Sequence, residues 1–244
     1  MFSRSQLNIL SLASLLKATR DTKARLLTKG TFAILLNNLL DYFIGERIYF
    51  LYPRLGLIES NESKVLSFIM KKAQIKGNLA FDIGSCNGAY AIWLSKNFSH
   101  VIAFEPEEKN YNVIRLKLRL LKKHNIETLR LAVSDSNRLG KLFIDETIFG
   151  HSLLNNSGDS QYKLIKVVSL ENFVECPVDL VKVDVQGAAF DVVKGASGVM
   201  DKIKRWIIEL EFNELERKGE LEALLKSFNY HVSWLSEQHL FAFK

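Results

Sequence analysis

The sequence is poor in the residues that mark several classes of protein. It has two cysteines, Cys86 and Cys176, in 244 residues, which excludes a disulfide framework and suggests a reducing compartment. None of its five histidines stands at a metal-ligand spacing from a cysteine or another histidine, so the sequence predicts no zinc site. No internal repeat or low-complexity stretch is visible, so a repeat architecture is not expected.

A long hydrophobic run is also missing. The most membrane-like stretch, residues 31–52, overlaps an uncharged run from Gly30 to Leu40 that contains two asparagines. This run is far shorter than the ~20 apolar residues of a spanning helix. The apolar stretch 7–16 is not followed by the cleavage site of a signal peptide. We therefore expect a cytoplasmic protein that can associate with a membrane surface.

Positive charge is concentrated in the N-terminal third of the chain. Residues 1–78 hold 12 Lys and Arg against 5 Asp and Glu, whereas the remainder is nearly balanced at 21 against 22. Leu and Ile recur at helical spacing in residues 5–27, and further helices are predicted over 31–48 and 60–75. We expect residues 1–78 to form a helical extension. Its first 50 residues would contact a membrane surface, a second copy of the chain or the rest of this chain, and a solvated basic helix face is the alternative.

From residue 79 onward, short apolar strands alternate with helices. Strands are predicted over 79–84, 100–105, 127–134, 140–145, 164–170, 178–185, 205–212, 230–235 and 239–244. Helices are predicted over 87–96, 106–124, 188–195 and 214–227. The alternation predicts an α/β domain over residues 79–244, with a doubly wound, mostly parallel sheet of about seven strands closed by an antiparallel hairpin. Ligands of such sheets bind beyond the carboxyl ends of the strands.

The stretch FDIGSCNGAY (81–90) places a carboxylate at the end of a buried strand and two glycines behind it. Gly84 and Gly88 bracket a turn after Asp82, and glycine lets a backbone approach a ligand closely. Cys86 replaces the central glycine of a dinucleotide fingerprint, so a nucleoside without a pyrophosphate is the better fit. A purely structural turn is the alternative for the glycine pair alone.

Two further acids follow predicted strands. Glu105 ends the second strand, where a carboxylate can accept two hydrogen bonds from ribose hydroxyls, and a helix-capping acid is the alternative. Asp135 follows the third strand, where an acid or its neighbours can either meet an adenine amino group or form a turn. The full set of candidate cofactor-binding residues is Asp82, Gly84, Ser85, Asn87, Gly88, Glu105, Pro106 and Asp135.

Carboxylates also end two later strands. Lys182 and Asp184 share a face of one predicted strand, and Glu209 and Glu211 share a face of the next. If the two strands are neighbours, Asp184 lies close to one of the glutamates, and the pair can share a proton, hold a cation or flank a base. A cation held by Asp184 and Glu211 is the one metal arrangement that we consider. Solvated carboxylates at the rim of the sheet are the alternative.

These stretches resemble the FkbM-type methyltransferases. The resemblance covers roughly residues 79–212 in the family's order and rests on FDIGSCNGAYAIWLSK, VIAFEPEEKNYNVI, LRLAVSD, HSLL, VVSLENF, VDLVKVDVQGAAFDVVKGA and WIIELEF. It implies a Rossmann-like methyltransferase fold, S-adenosyl-L-methionine as cofactor, and transfer of a methyl group to oxygen, often on sugars, glycolipids or polyketides. The chain departs from the family at Gln186 and Ala189, where Glu is usual. The N-terminal 78 residues are not covered.

We expect an S-adenosylmethionine-dependent O-methyltransferase that acts on a sugar, a glycolipid or a related hydroxyl compound. Asp184, from a strand end, and His151, from a loop, are the candidate bases for the hydroxyl proton, and an exposed loop histidine is the alternative for His151. Two other functions stay open: an RNA methyltransferase that grips RNA with its basic N-terminal third, and a non-catalytic cofactor-binding protein that docks at a membrane. Basic clusters interleaved with aromatic residues are missing, so a small molecule or glycan is preferred to nucleic acid.

Overall fold

The computed structural model describes residues 75–144 and 161–244, together with Val65, Phe68 and Leu153. The predicted helical extension lies almost wholly outside the described residues, so its helices and its boundary at residue 78 stay predictions. Among the helices that the structure describes, none has the length and apolar character needed to span a bilayer.

The described residues form ten strands and four α-helices. The strands are β1 (Gly77–Ile83), β2 (Phe98–Phe104), β3 (Ile126–Leu129), β4 (Ala132–Ser134), β5 (Arg138–Phe143), β6 (Tyr162–Ser169), β7 (Leu180–Val183), β8 (Arg205–Glu209), β9 (His231–Trp234) and β10 (His239–Phe243). The α-helices are α1 (Ala89–Leu94), α2 (Glu108–Leu120), α3 (Ala189–Lys194) and α4 (Lys218–Ser227). Short 3-10 helices cover Leu170–Phe173, Ser197–Lys202 and Phe212–Arg217.

Seven of these strands form one sheet in the order β3-β2-β1-β7-β8-β10-β9. All neighbours from β3 to β8 are parallel, and β10 is antiparallel to both β8 and β9. The sheet confirms the predicted doubly wound fold with a closing antiparallel hairpin. The strand order reverses between β1 and β7, so a crevice for ligands is expected beyond the carboxyl ends of these two strands.

The central strands are buried and therefore rigid. All four residues of β7 are buried, as are the last four residues of β1, a pattern typical of parallel strands covered on both faces. Trp206 and Ile208 on β8 are fully buried in the same core. Burying one Ile or Phe side chain contributes about 1.5–3 kcal/mol, so this core fixes the strand ends in place.

One predicted strand is two strands in the structure. The prediction of a single strand over 127–134 is wrong, because β3 pairs with β2 in the main sheet while β4 joins a separate three-stranded sheet in the order β4-β6-β5. No glycine or proline interrupts this segment, so its sequence carries no sign of a break. Pairing with distant strands decides where the segment divides.

The segment after β8 also differs from its prediction. The strand predicted to reach residue 212 ends at Glu209, and Glu211 is the N-cap of the 3-10 helix Phe212–Arg217. The Glu211 and Glu214 side chains form a capping box with the backbone amides at this helix start. Glu211 therefore lies outside the strand and does not share a strand face with Glu209. Its carboxylate caps the helix that follows.

Candidate cofactor and active site

The turn between β1 and α1 depends on residues with left-handed backbones. Gly84, Cys86 and Gly88 have φ angles of 77°, 49° and 78°. A Cβ added at Gly84 would overlap the carbonyl oxygen of Asp184, so the end of β1 lies directly against the end of β7. The close approach that the sequence predicts at Gly84 is therefore present, and the group that approaches is the protein's own backbone.

Asp82 is fully buried near the end of β1, with its carboxylate between the turn and β7. The Ser85 hydroxyl donates a hydrogen bond to Oδ2, and Lys182 Nζ lies 3.6 Å from Oδ1. Oδ1 accepts no hydrogen bond from the residues that the structure describes. Because buried polar atoms normally have a partner, this oxygen is a candidate acceptor for a ligand donor.

Glu105 is buried directly after β2, and both of its carboxyl oxygens face backbone amides. The Cys86 amide donates to Oε2 at 2.8 Å, and the Glu107 amide donates to Oε1 at 2.9 Å. Burial, which these two hydrogen bonds only partly offset, raises the pKa of Glu105 to about 8. The Asn110 side chain donates a third hydrogen bond to this carboxyl group, which leaves one acceptor position for a ribose hydroxyl.

The helix-capping role that was the alternative for Glu105 belongs to Glu107. The Glu107 side chain is the N-cap of α2, where it accepts a hydrogen bond from the Asn110 amide at 2.9 Å. Lys163 on β6 lies 2.7 Å from the same carboxylate. Burial raises the pKa of Glu107, but Lys163 and the Asn110 amide outweigh it, so its pKa is lowered overall. Pro106 lies between Glu105 and the capping residue Glu107. Glu105 therefore does not cap the helix.

Asn87 holds the same turn together by two contacts. Its side chain accepts a hydrogen bond from the Ala89 amide at 3.0 Å, at the start of α1. Its carbonyl oxygen accepts a hydrogen bond from the ammonium of Lys117, which is buried on α2. Sequence analysis missed Lys117, because a lysine within a helix pattern carries no sign of a contact 30 residues away.

Asp135 lies elsewhere than predicted, because the strand that precedes it is β4 of the small sheet. Its carboxylate is 2.8 Å from Arg138 and accepts a hydrogen bond from the Ser136 hydroxyl at 3.0 Å. The Arg138 hydrogen bond lowers the pKa of Asp135. Within the described residues, none of its polar contacts reaches Asp82 or Glu105. Its role at an adenine group stays a prediction.

A row of polar side chains crosses the carboxyl edge of the main sheet. Val183 pairs with Ile208, so the residues that follow them, Asp184 and Glu209, are neighbours, and Glu209 pairs with His239 on β10. Residues in register on adjacent strands point to the same face. We call Asp184, Glu209 and His239 the carboxylate–histidine row.

Lys182 is a buried cation between this row and the cofactor turn. Its Nζ lies 2.8 Å from Asp184 and 3.6 Å from Asp82, and 4.3 Å from the centre of the Tyr90 ring. Burial lowers the pKa of Lys182, but Asp184 and Asp82 outweigh it, so its pKa is raised and the ammonium stays charged. The prediction that Lys182 and Asp184 share a face is confirmed, although sequence analysis gave Lys182 no role.

Asp184 is the member of the row that is most open to an acceptor. Its side chain is 22% exposed, against 16% for Glu209 and 2% for His239. Burial raises the pKa of Asp184, and the negative charges of Glu209 and Asp82 raise it further against the opposing effect of Lys182. The sequence predicts that Asp184 lies close to Glu209 or Glu211. In the carboxylate–histidine row, the glutamate beside Asp184 is Glu209.

The other end of the row is a buried histidine–glutamate pair. His239 Nε2 lies 3.2 Å from a Glu209 carboxyl oxygen, and His239 Nδ1 lies 2.9 Å from the Ser236 hydroxyl. Burial raises the pKa of Glu209, but its close contact with His239 and the charge of Lys182 outweigh that effect, so the pKa is lowered. Sequence analysis gave His239 no role, because the register of the closing hairpin cannot be read from spacing.

Two other predicted contacts remain open. His151 lies outside the described residues, so its role as a base stays a prediction. In the part of the chain that the structure describes, no group of three His, Cys, Asp or Glu residues is arranged to hold a metal ion. A cation shared by Asp184 and Glu211 would thus find no third protein ligand of these types there.

Comparison with known proteins decides the family. A model of the methyltransferase FkbM domain matches residues 82–239. The chain belongs to the FkbM methyltransferase family. Its cofactor is S-adenosyl-L-methionine, and the predicted resemblance, fold class and cofactor are confirmed.

One solved structure agrees with the FkbM assignment at the level of the fold, and two others are reported for comparison. A methyltransferase FkbM from Methylobacillus flagellatus KT has a TM-score of 0.50 and 12% identity, over 88% of this chain and 58% of that chain. A putative rRNA methylase from Clostridium thermocellum has a TM-score of 0.49 and 12% identity, over 76% and 94%. A putative methyltransferase from Streptococcus mutans in complex with SAH has a TM-score of 0.48 and 13% identity, over 76% and 97%. No curated protein matches the sequence.

The two departures from the FkbM pattern have partners in the structure. The Gln186 side chain hydrogen-bonds to Glu211, which is near the row. The Ala189 amide, at the start of α3, donates to Glu214 Oε1 at 2.9 Å. The Glu214 carboxylate thus contacts the first turn of α3, although residue 189 of this helix is alanine and not the usual Glu.

The residues at the ends of β1 and β2 fit S-adenosylmethionine. Gly84 and Gly88 give the turn its left-handed backbone, and Asp82 has a buried oxygen with no hydrogen bond from the described part of the chain. Glu105 retains an acceptor position for a ribose hydroxyl. The acids around Lys182 outnumber this cation, which suits a cationic ligand.

Proposed function

We propose that this FkbM-family protein transfers a methyl group from S-adenosylmethionine to a hydroxyl oxygen of a sugar, glycolipid or related compound. The observation that carries the proposal is Asp184, a carboxyl group with a raised pKa at the exposed end of the carboxylate–histidine row. A raised pKa increases the affinity of a carboxylate for the proton of a hydroxyl. The family match supports methyl transfer, and Asp184 supports oxygen as the acceptor atom.

The cofactor would be held at the carboxyl ends of β1 and β2. When bound, S-adenosylmethionine supplies an electrophilic methyl group on a positively charged sulfur. Asp82 and Glu105 would accept hydrogen bonds from it, and the turn between Gly84 and Gly88 would lie along it. The complete set proposed for this role is Asp82, Gly84, Ser85, Asn87, Gly88, Glu105, Pro106 and Asp135.

Asp184 would accept the hydroxyl proton as the acceptor oxygen becomes a nucleophile. Lys182, 2.8 Å away, fixes the carboxylate and compensates its negative charge. A positioned base contributes typically ~10²–10⁴-fold to the rate. A strand end fixes a base more firmly than a loop does, so we prefer Asp184 to His151, which we retain as the second candidate.

One observation favours a second function. Gln186 and Ala189 stand where FkbM proteins usually carry Glu, so a non-catalytic protein that binds S-adenosylmethionine is the alternative. RNA methylation, supported only by the basic N-terminal third, stays a prediction. So does a contact of residues 1–50 with a membrane surface or a second copy of the chain, and salt-sensitive RNA binding would favour the RNA function.

Single-turnover methyl transfer to a panel of glycans and glycolipids tests the proposal. We expect Asp184→Asn to lose about 10²-fold or more in rate, with S-adenosylmethionine affinity checked first by calorimetry, and His151→Ala to stay near wild type. A loss confined to His151→Ala would make the histidine the base. Cofactor binding by the wild type without transfer to any acceptor would favour the non-catalytic alternative.

A further inference from the structure

The carboxylate–histidine row contains a pair that the proposed function does not use. Glu209 on β8 and His239 on β10 are cross-strand partners with side-chain atoms 3.2 Å apart. His239 is 2% exposed, so the imidazole is enclosed in the protein. Its second ring nitrogen contacts Ser236 at 2.9 Å, which fixes the ring orientation.

The pair occupies a position where apolar residues would pack at lower cost. Two register positions earlier, on the same face of the sheet, β8 and β10 contribute the paired residues Ile207 and Phe241, which are both buried. Removing a histidine and a carboxylate from water costs free energy that their attraction does not always recover. The change from an apolar row to a charged one takes place at the carboxyl edge, where the ligand crevice is expected.

The region around Asp184 and Glu209 contains several acids and few cations that could balance their charge. The titratable and charged groups that act on Asp184 or Glu209 are Asp82 on β1, Cys86 in the following turn, Lys182 on β7, Glu211 after β8 and His239 on β10. Lys182 is the one ammonium among them and faces several acids. These acids therefore compete for protons, and the partners of each one decide which has the higher proton affinity.

We propose that His239 is a positioning residue that acts through Glu209. Nε2 of His239 holds the Glu209 carboxylate toward β10 in the ionised form, so that Asp184 is the acid of the row with the higher proton affinity. The inference rests on the proposed function, in which Asp184 is the base. Through Glu209, a histidine that touches neither the cofactor nor the acceptor sets the proton affinity of the group that does.

Titration of the Asp184 carboxyl group tests this directly. Aspartate labelled with ¹³C at the carboxyl carbon is followed by NMR across pH in the full chain without cofactor or acceptor, and Asp184→Asn assigns the signal. In His239→Leu, Glu209 should take up the proton itself, and the midpoint of Asp184 should fall by about one pH unit or more. Glu209→Gln should lower the midpoint likewise, because the charge beside Asp184 is gone.

Two further variants separate positioning from packing. The side-chain amide in His239→Gln can still donate to Glu209, so this variant should retain most of the wild-type midpoint. His231→Gln changes an exposed histidine on the neighbouring strand β9 and should leave the midpoint unchanged. Unfolding midpoints of all variants are compared, and the near-isosteric Glu209→Gln keeps the test valid if His239→Leu does not fold.

Each outcome decides between the explanations. If the Asp184 midpoint is unchanged in His239→Leu and Glu209→Gln, the Glu209–His239 pair has only a packing role, which overturns the proposal. A rise in His239→Leu would show that the histidine acts on Asp184 by its own charge, which also overturns the proposal. The titration needs neither cofactor nor acceptor, so a failure to detect methyl transfer would count against the proposed function alone.

Discussion

The four acids of this site have pKa values that are shifted in opposite directions. Burial holds Glu105 and Asp184 toward the neutral form, whereas Glu107 and Glu209, each beside a basic side chain, are held toward the ionised form. Glu105 and Asp184 directly follow strands, Glu209 ends a strand, and Glu107 begins a helix. Which of them carries a proton depends on contacts across the fold, so chemistry at the residue scale is set by neighbours distant in sequence.

We predict that Glu105→Gln flattens the pH dependence of stability. The pKa of Glu105 is about 8 in the folded protein and about 4.3 in an unfolded chain, so the folded state binds the proton more tightly. Its contribution to stability is therefore complete below the unfolded value and is lost as pH rises through about 8. The free energy of unfolding, measured with urea at a series of pH values, should fall less steeply in the variant.

The exposed neighbour Glu108 provides the control for this prediction. Its side chain is 62% exposed and pairs with Arg130 at 3.5 Å, so Glu108→Gln should keep the wild-type slope. Equal slopes in wild type and Glu105→Gln would mean that Glu105 is ionised in the folded protein at neutral pH.

The elements of the site could be predicted where the signal is local. The apolar run before Asp82 and the two glycines after it predict a strand and a turn, and β1 indeed ends at Ile83. The division of residues 127–134 between two sheets could not be predicted, because it depends on pairing with distant strands. The capping role of Glu211 was equally hidden, since an acid after a strand reads as a continuation of its alternating pattern.

At the same scale, we predict that Gly84→Ala separates the ends of β1 and β7. Gly84 has a φ of 77°, and a Cβ there would overlap the Asp184 carbonyl oxygen, which is backbone and cannot rotate away. We expect a loss of about 3 kcal/mol in the free energy of unfolding, with weakened S-adenosylmethionine binding. Urea denaturation and calorimetry measure the two effects.

Gly219→Ala is the matched control for this substitution. Gly219 is the second residue of α4, and an added Cβ would have no atom within 4 Å. Alanine is the better helix former, so this variant should gain about 0.5–1 kcal/mol and bind the cofactor normally. If both variants changed stability alike, the contact between the two strand ends would not be the cause.

For the whole molecule, the order of strands and helices could be predicted from the sequence. The side-chain contacts between elements far apart in the sequence could not. Alternating strands and helices predicted the doubly wound sheet, because the pattern repeats along the chain. The roles of Lys117, Glu214 and His239 appear only when helices and strands far apart in sequence are brought together. Packing of this unit also begins before β1, since Val65 is buried and the Phe68 ring lies 5.1 Å from that of Phe241.

We predict that residues 1–59 serve the acceptor and not the cofactor. Residues 60–244 form one compact unit, so a chain that begins at Ser60 should bind S-adenosylmethionine as the full chain does. It should lose acceptor recognition or solubility, measured by methyl transfer and by sedimentation. Normal methylation of the acceptor by this shorter chain would exclude the N-terminal residues from recognition.

A second truncation tests where packing begins. A chain that begins at Lys76 also lacks Val65 and Phe68 and should unfold at lower urea concentration than the chain that begins at Ser60, because it leaves a cavity beside Phe241. Equal stability of the two chains would place the start of the folded unit at β1.

The position of β10 between β8 and β9 sets the order in which the protein can mature on the ribosome. Asp184 and Glu209 are translated before His239, 55 and 30 residues ahead of it in the sequence. Until the closing hairpin inserts, the nascent chain presents an open β8 edge and a glutamate without its histidine, a state that is prone to wrong pairing and open to chaperones. A nascent chain therefore acquires its complete row only when β10 takes its place in the sheet.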